Sequence, residues 1–360
     1  MAKLGITELP QTKGTFEIQG KVTGTKKEDY FKESYTKKGK LKRSIKFGVE
    51  YSEDENGFTN TLFISFDDYT KEDVYLYKKA EKKGDKGELK KVNWSERYDH
   101  TSDGFEVIGM KVGVKKTVNE KGETVNLNKN LITFDAIQEI ADNLTDGQSV
   151  YIRGNVEYNS FVDKDGNRVR MKKLIPTQIS LCKDIDFTDE KYNPKHYFGQ
   201  QLILNGIEKE IENEKETGRF VVSAQVATYN TIENVEFIVT NPKFARTLKR
   251  LKPYTALEVY GKISSNTLHQ QVVEVDDEWG DENPMDKVKS SFKTEYIITG
   301  GKKETVDCET FSKDKIENAI AKIAQKEKAK NDYADTTDSE WGSDSIVGND
   351  DDNDDMEEWA

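Results

Sequence analysis

The first half of the chain contains several short stretches in which apolar and polar residues alternate. The clearest covers residues 43–51, where Ile45, Phe47, Val49 and Tyr51 fall on one face and mostly polar residues fall on the other. This two-residue period is typical of a strand that buries one of its faces. The same pattern predicts strands over residues 16–22, 62–66, 105–116, 150–156 and 168–181. This half of the chain is therefore predicted to be mainly β.

One helix interrupts this series of strands. Phe134, Ile137 and Ile140 recur at helical spacing, with Thr133 as the expected N-cap and Gly147 beyond the end. The helix precedes the last two strands, which is the order of elements in an OB-fold, a small Greek-key barrel that often binds oligonucleotides. Residues 78–104 are predicted to form a long charged insertion, and loops of that length are usually functional or disordered.

The second half of the chain repeats part of this plan. The segment LTDGQSVYIRGNVEYN from Leu144 aligns without a gap with LKPYTALEVYGKISSN from Leu251. A helix is predicted before the later segment, with Asn241 as its cap and Pro242 at its first position. Strand patterns surround it at residues 201–208, 219–228, 234–240 and 268–275. We therefore predict a chain that is mainly β with a few helices, built as two tandem OB-fold-like β-barrels.

These patterns also predict where the domains begin and end. Residues 1–190 are expected to form the first barrel with its insertion, and residues 191–275 the second OB-like domain. Residues 276–330 are expected to hold a linker, a hairpin over 292–310 and a C-terminal helix opening at Ser312. The apolar stripe of that helix, which includes Ile316 and Ala319, is expected to dock on a barrel. Residues 331–360 are expected to be a disordered acidic tail.

The net charge of −12 is concentrated in that tail. Residues 331–360 contain twelve Asp or Glu and no Lys or Arg, so the remaining 55 acids balance the 55 basic residues of the first 330. The balance is local as well as global, because residues 21–46 contain ten Lys or Arg against three acids, with three aromatic residues among them. Cations neutralise phosphates, and flat rings stack on unpaired bases of any sequence. This stretch therefore indicates a nucleic-acid contact, although a soluble loop whose rings cap a core is the alternative.

The predicted contacts fall into two chemical groups. Strand periodicity adds Phe63, Tyr151, Arg153, Arg168 and Arg170 to the basic stretch, because each alternates out of phase with the aliphatic set expected inside the barrel. The expected backbone contacts are Lys37, Lys38, Lys40, Lys42, Arg43, Lys46, Arg153, Arg168 and Arg170. The expected base-stacking residues are Tyr30, Phe31, Tyr35, Phe63 and Tyr151. A covering loop or hairpin remains the alternative for part of this set.

The run FEIQGKVTG followed by YFKESYTKKGKLKRSIKFGVE, together with the acidic C-terminus, resembles the single-stranded-DNA-binding proteins of bacteriophage replication modules. The likeness is tightest over residues 14–66 and in the tail, and looser over residues 134–181. It implies sequence-tolerant binding of single-stranded DNA by an OB-fold, without catalysis, in the cytoplasm of an infected bacterium. It also implies a role in DNA replication and recombination, and a tail that recruits partner enzymes.

The tail departs from the bacterial members of that class, because it ends in MEEWA instead of an aspartate run followed by Ile-Pro-Phe. Acid beside an indole imitates phosphate beside a base. The tail is therefore expected either to fold back over the basic groove or to present tryptophan to a basic, apolar pocket on a partner. A tail that only solubilises the chain is the alternative. Its expected contact residues are Trp341, Asp350, Asp351, Asp352, Asp354, Asp355, Glu357, Glu358 and Trp359.

Other classes of function are less well supported by the sequence. The three histidines stand in unrelated contexts and no GxxxxGK[ST] phosphate loop is present, so neither an enzyme nor a metal or cofactor site is expected. The chain has no apolar run of the ~18 residues that a membrane span needs and no secretory signal at its start. Cys182 and Cys308 are expected to be reduced, buried thiols. A non-enzymatic β-barrel adaptor or virion structural protein is the alternative function.

Overall fold

The computed structural model describes residues 7–36, 39–53, 57, 59–80, 82, 86–162, 168–212, 214–268 and 291–336. The strands of the first half are β1 Gly14–Thr23, β2 Phe31–Tyr35, β3 Leu41–Glu53, β4 Thr59–Tyr69, β5 Asp73–Lys78, β6 Glu88–Asn93, β7 Glu106–Val107, β8 Met110–Val118, β9 Thr124–Leu131, β10 Ser149–Val162 and β11 Arg168–Leu181. Those of the second half are β12 His196–Glu212, β13 Lys215–Ala227, β14 Ile232–Val239, β15 Thr255–Leu268 and β16 Ser291–Asp307. The helices are α1 Thr133–Asn143, α2 Pro242–Lys249 and α3 Lys313–Thr336.

The first barrel follows the predicted OB order. Strand β3 pairs antiparallel with β1 and β4, and β1 pairs on its other edge with β10, which in turn pairs with β11. Strand β11 packs beside β4 and runs parallel to β8, while α1 packs on β3, β4 and β8. The alternating residues Ile45, Phe47, Val49 and Tyr51 are all buried, as their period predicts.

The second barrel is a closed ring. Strand β13 pairs antiparallel with β12 and β14, β14 runs parallel to β16, and β15 joins β16 to β12. Helix α2 lies between the third and fourth of these strands, and Asn241 caps it by accepting hydrogen bonds from the backbone amides of Lys243 (2.9 Å) and Phe244 (3.4 Å). The prediction of two OB-like barrels is confirmed.

The hairpin expected over residues 292–310 is wrong, because these residues form β16, the strand that closes the second barrel. Gly300 and Gly301 read as a turn in the sequence. In the structure they pair with Tyr260 and Val259 beside a register irregularity, so they bend the strand without reversing it. The second barrel therefore extends beyond the expected boundary at residue 275. Residues 269–290, which include most of the strand expected at 268–275, lie outside the described residues.

The two barrels share one sheet through their first strands. Strand β1 pairs with β12 over Gly14–Ile18 and with β3 from Lys21 onward, on the same edge. Strand β12 repeats this division, since its residues 196–200 pair with β1 and its pairing with β13 begins at residue 203. Phe16 and Phe198 stand opposite each other at the centre of this approximate twofold relationship. The tandem barrels therefore have a continuous hydrophobic core.

The charged insertion between β4 and α1 is larger and more regular than the sequence indicated. Strands β5, β6 and β7 form a separate three-stranded sheet in the order β6-β5-β7. Val74, Leu76, Val92 and Phe105 give this sheet a small core of its own, which also contains Phe134 of α1. The apolar residues at the two ends of the insertion supply most of that core, and the lysine-rich middle concealed it in the sequence.

Three smaller expectations are decided by local geometry. Thr133 is not the N-cap of α1 but its first residue; Ile132 takes the cap position and makes no side-chain capping bond. Helix α3 docks on the second barrel as expected, because Ile316 and Ala319 are buried in one apolar cluster with Ile203. Cys182 is half-buried and Cys308 is exposed, so the expectation of two buried thiols is wrong for Cys308.

Candidate nucleic-acid interface

The outer wall formed by β3 and β4 carries a narrow cleft with an aromatic ring at its side. Alternation places Lys46 and Gly48 on the outer face of β3, opposite Ser65 and Phe63 of β4. Phe63 is 41% exposed although it lies in the middle of a strand. Large apolar side chains in such a position usually pack against something, so an exposed ring here marks a candidate contact surface.

Gly48 forms the floor of this cleft, which has a volume of about 180 Å³. A β-carbon built at Gly48 would lie 2.7 Å from Thr23 Cγ2 and 2.8 Å from Thr61 Cγ2, and 3.6 Å from Phe63 Cε1. The missing side chain therefore leaves the space beside the Phe63 ring open. Lys27, Asp29, Lys46 and Glu50 also line the cleft. The cleft thus combines a flat apolar wall with cations and hydrogen-bonding groups.

The loop that forms the rim of the cleft is held at two points. Thr25 and Asp146 bond reciprocally, since the Thr25 amide donates to Asp146 Oδ1 (2.7 Å) and the Asp146 amide donates to Thr25 Oγ1 (3.2 Å). Tyr30, at the end of the loop, is buried in the core, and its hydroxyl lies 3.2 Å from the carbonyl oxygen of Ile140 and 3.4 Å from that of Leu144. This burial raises the pKa of Tyr30.

The expectation that Tyr30 stacks on bases is therefore wrong. Its ring fills the core beside α1, and its hydroxyl contacts the carbonyls at the end of that helix, where hydrogen-bond acceptors are left unpaired by the helix itself. Tyr30 anchors the loop that carries Lys27 and Asp29. Its contribution to the site is to hold the rim in place.

The expected cations on β3 are each paired with an acid. Lys42 lies 3.7 Å from Asp67, and Lys46 lies 3.2 Å from Asp29. Burial alone would raise the pKa of Asp29, but the hydrogen bond from Lys46 outweighs it and the pKa of Asp29 is lowered. The pKa of Lys46 is also lowered, because burial outweighs the attraction of Asp29. A phosphate that approached this wall would have to compete with these carboxylates for the lysines.

Arg43, Tyr35 and Phe31 do not lie on the wall with the cleft. They share the opposite face of the β2–β3 ribbon, where Phe31 packs against the core and Tyr35 is 75% exposed. The Arg43 guanidinium pairs with Glu33 (2.8 Å) and lies 4.1 Å from the centroid of the Phe134 ring. Arg43 is therefore occupied in joining β3 to α1, because its stacking and its ion pair leave the side chain largely covered.

Tyr151 and Arg153 lie on another wall of the barrel. Alternation places them on the outer face of β10, where Tyr151 pairs with Gln19 and Arg153 with Glu17 of β1. Arg153 is exposed, whereas Tyr151 is half-buried and its burial raises its pKa. Strand β1 separates β10 from β3, so the structure does not bring these residues to the Phe63 cleft.

The remaining expected contacts are placed only in part. Arg168 and Arg170 belong to β11, but their side chains are outside the described residues. Lys37 and Lys38 are outside them too, as are all the expected tail contacts, including Trp341 and Trp359. Their assignment to DNA or to a partner stays a prediction.

The structure adds site residues that the sequence did not single out. Tyr69, at the end of β4, pairs with Lys42, and the ammonium groups of Lys40 and Lys71 lie 5.2 Å and 5.8 Å from the centroid of its ring. Lys27 and Gly48 line the cleft without any special sequence pattern. Gly48 could have been found, because it is the only glycine in the alternating run of residues 43–51 and stands on its polar face.

No group of three or more His, Cys, Asp or Glu side chains in the described part of the chain is arranged to hold a metal ion. Among the helices in these same residue ranges, none is long and apolar enough to cross a membrane.

The structure thus defines a mainly β protein of tandem OB-like barrels with a cleft on the first barrel. The chain belongs to the YorF family, whose model matches residues 79–336. No curated protein matches the sequence. Two solved structures of the single-stranded DNA binding protein from Thermus aquaticus are similar in fold.

One of these structures, a deletion mutant, is 11% identical to this chain with a TM-score of 0.40, and the match covers 84% of this chain and 98% of that one. The other, the wild-type protein, is 12% identical with a TM-score of 0.39, and the match covers 81% of this chain and 93% of that one. Neither likeness enters the argument about function.

Proposed function

We propose that the protein binds single-stranded DNA without sequence preference along the β3–β4 wall of its first barrel. The observation that carries the proposal is the exposed ring of Phe63 beside the floor of Gly48, in a cleft rimmed by Lys27 and Lys46. The face of the second and third barrel strands is where OB-folds bind oligonucleotides. A base stacked on one ring gains roughly 1–3 kcal/mol whatever its sequence, since every base has a π-face.

Phosphate contacts come from the lysines that follow the same wall. Lys27, Lys40 and Lys42 lie at intervals from the cleft to the end of β4, where Tyr69 provides a second ring. The ion pairs of Lys42 and Lys46 with Asp67 and Asp29 keep the wall close to neutral before DNA arrives. Binding then replaces carboxylate partners with phosphates, so affinity depends on releasing ions from the DNA and falls with salt.

The proposal extends to the contacts that the structure leaves open. Lys37, Lys38, Arg168 and Arg170 would lengthen the phosphate track, and exposed Tyr35 and Arg153 would meet DNA that leaves the cleft on either side. The mechanism is passive: the protein covers unwound template and removes hairpins ahead of a polymerase, without catalysis. The setting we propose is bacteriophage DNA replication and recombination in the cytoplasm of the infected host, which rests on the sequence resemblance.

We further propose that the acidic tail regulates binding or recruits replication enzymes. It carries twelve acids and two tryptophans within residues 331–360, and such a segment competes for a surface that accepts phosphates and bases. Removing residues 337–360 leaves all of α3 in place. If the tail covers the DNA site, the shortened protein binds oligo-dT more tightly at low salt; unchanged affinity would leave only the recruiting role.

The central part of the proposal is tested with Phe63→Ala. We expect the affinity for oligo-dT to fall by roughly 5- to 150-fold, the equivalent of one lost stacking contact. Tyr229→Ala is the matched control, because Tyr229 is 48% exposed but lies after β13 in the second barrel. Equal affinities for wild type and Phe63→Ala would remove the cleft from the site. Absence of wild-type binding would instead favour a structural or adaptor role.

A further inference from the structure

The three-stranded sheet of the insertion presents two tyrosine rings to solvent. Tyr75 is 52% exposed and Tyr77 is 43% exposed, and both stand on the face of β5 that points away from Val74 and Leu76 of its core. Leu89 and Ile108, also exposed, belong to neighbouring positions of the same small sheet. Four large apolar side chains on so small a sheet form a patch that water alone does not favour.

The Tyr77 ring is held in place by a glycine. A β-carbon built at Gly87 would lie 2.3 Å from Tyr77 Oη and 2.4 Å from Cζ, so the ring rests directly on the Gly87 backbone. One face of the ring is thereby covered while the side chain remains substantially exposed. A ring already fixed on a sheet loses little conformational freedom when a second flat group stacks on it.

Positive charge surrounds the two rings. Residues 78–91 contain seven lysines against three acids. Lys91 stands directly opposite Tyr75 and pairs with Asp73, while Lys79 and Lys86 are exposed. Rings interleaved with lysines suit a strand of bases and phosphates, and suit an acidic or purely apolar surface less well.

A second cleft connects this face with the first barrel. It has a volume of about 440 Å³ and is lined by Lys71, Tyr75, Leu89 and Trp94. Lys71 also lies over the ring of Tyr69, which ends the β4 wall. The Phe63 cleft, Tyr69, the second cleft and the two tyrosines therefore follow one another along β4 and into β5.

We propose that single-stranded DNA bound at the Phe63 cleft continues past Tyr69 onto the insertion sheet, where Tyr75 and Tyr77 stack on bases. This inference rests on the proposed function and adds a second contact area that sets how much DNA one protein covers. The insertion thereby lengthens the site beyond what one barrel wall offers. A protein partner that docks on Leu89 and Ile108 is the competing occupant.

The test is a binding series with oligo-dT of increasing length, using full-length wild type, the double variant Tyr75→Ala/Tyr77→Ala, Phe63→Ala and the control Tyr229→Ala. We expect the double variant to bind the shortest oligomers like wild type and to lose roughly tenfold or more on long ones. Its occluded length on poly-dT should also shorten. Identical affinities and occluded lengths for the double variant and wild type would overturn the inference and favour the protein partner.

Two further measurements separate the failure modes. Loss of binding at every length in Phe63→Ala, with a full-length effect absent in the double variant, would keep the proposed function and reject the extension; no binding by wild type would reject both. Since replacing two rings could disturb the small sheet, Lys79→Glu/Lys86→Glu provides a second variant of exposed residues. We expect it to lower the salt dependence on long oligomers by about one phosphate contact or more, with a slope change of ~0.7 per contact, and an unchanged slope would contradict the extension.

Discussion

Gly48 of β3 stands directly opposite Phe63 of β4, and a β-carbon at Gly48 would lie 3.6 Å from the Phe63 ring. Cross-strand pairs of glycine and an aromatic residue leave one side of the ring against the backbone and the other available. In this protein the arrangement creates the cleft on which the proposed DNA site depends. The first prediction concerns that glycine.

Gly48→Ala should weaken DNA binding by narrowing the cleft. The new methyl group would meet the Cγ2 atoms of Thr23 and Thr61 at 2.7 Å and 2.8 Å, so both must shift into the cleft. We expect a loss of about 1 kcal/mol in oligo-dT affinity, about fivefold, measured by fluorescence anisotropy. Gly206→Ala is the control, because nothing lies within 4 Å of a β-carbon at that position. Equal affinities for both variants would remove Gly48 from the site.

Tyr30→Phe should destabilise the fold and leave stacking untouched. The variant removes a hydroxyl that contacts the carbonyls of Ile140 and Leu144 in the core. We expect the free energy of unfolding in urea to fall by about 0.5–1.5 kcal/mol, with oligo-dT affinity changed little because the ring still anchors the rim loop. Tyr35→Phe, at a side chain that is 75% exposed, serves as the control and should unfold like wild type. A large loss of affinity without a loss of stability in Tyr30→Phe would restore Tyr30 as a DNA contact.

Arg43→Ala should act on stability more than on DNA affinity. The guanidinium lies over Phe134, which belongs to both α1 and the core of the insertion sheet, and it pairs with Glu33. We expect about 1–2 kcal/mol of lost stability, measured by chemical unfolding, since the stacked cation and its aliphatic stem are both removed. The contrary result is a variant with unchanged unfolding and strongly weakened DNA binding.

Lys172 should make stability depend on pH above neutrality. Its ammonium donates to the Glu236 carbonyl oxygen (3.1 Å) and lies 4.7 Å from the ring centroid of Tyr296, and these apolar surroundings lower its pKa from 10.5 to about 8. The folded protein therefore holds this proton less tightly than the unfolded chain. Stability contributed by this group then rises as the pH rises from about 8 toward 10.5, because the unfolded state binds more protons in that window.

Unfolding in urea between pH 7 and pH 9.5, a range chosen to start below the lowered pKa, measures this effect. Wild type should gain stability relative to Lys172→Met across the range, and Lys173→Met should follow the pH dependence of wild type. Parallel curves for wild type and Lys172→Met would show that the ammonium at the junction of the barrels is not held in apolar surroundings.

The sequence predicts the barrels well because alternation in a strand is a local property. Burial of Ile45, Phe47 and Val49 and the capping of α2 by Asn241 follow from neighbouring residues alone. The pairing of β1 with β12 does not, since it joins residues 182 positions apart, as in Phe16 and Phe198, and no local pattern records which edge meets which.

The candidate site is predictable only in part for the same reason. A count of charges along residues 21–46 correctly marks the basic stretch, but it cannot show that Asp67 reaches Lys42 from β4 or that Phe134 lies under Arg43. Tyr30 and Tyr35 look alike in the sequence, yet one is buried and the other exposed, because the chain passes α1 at residue 30 and leaves it by residue 35. The exposure of Phe63 was predictable, since it alternates with Leu62 and Ile64 of the core.

The measurement that tests the central claim most directly is a salt titration of wild-type binding to oligo-dT, with a duplex of the same length as the comparison. We expect tight binding of oligo-dT that weakens steeply and linearly in log–log form, by ~0.7 per phosphate contacted, and much weaker binding of the duplex, whose bases cannot reach Phe63. Binding that is absent at low salt, or equal for duplex and single strand, would contradict a single-stranded DNA site on the β3–β4 wall.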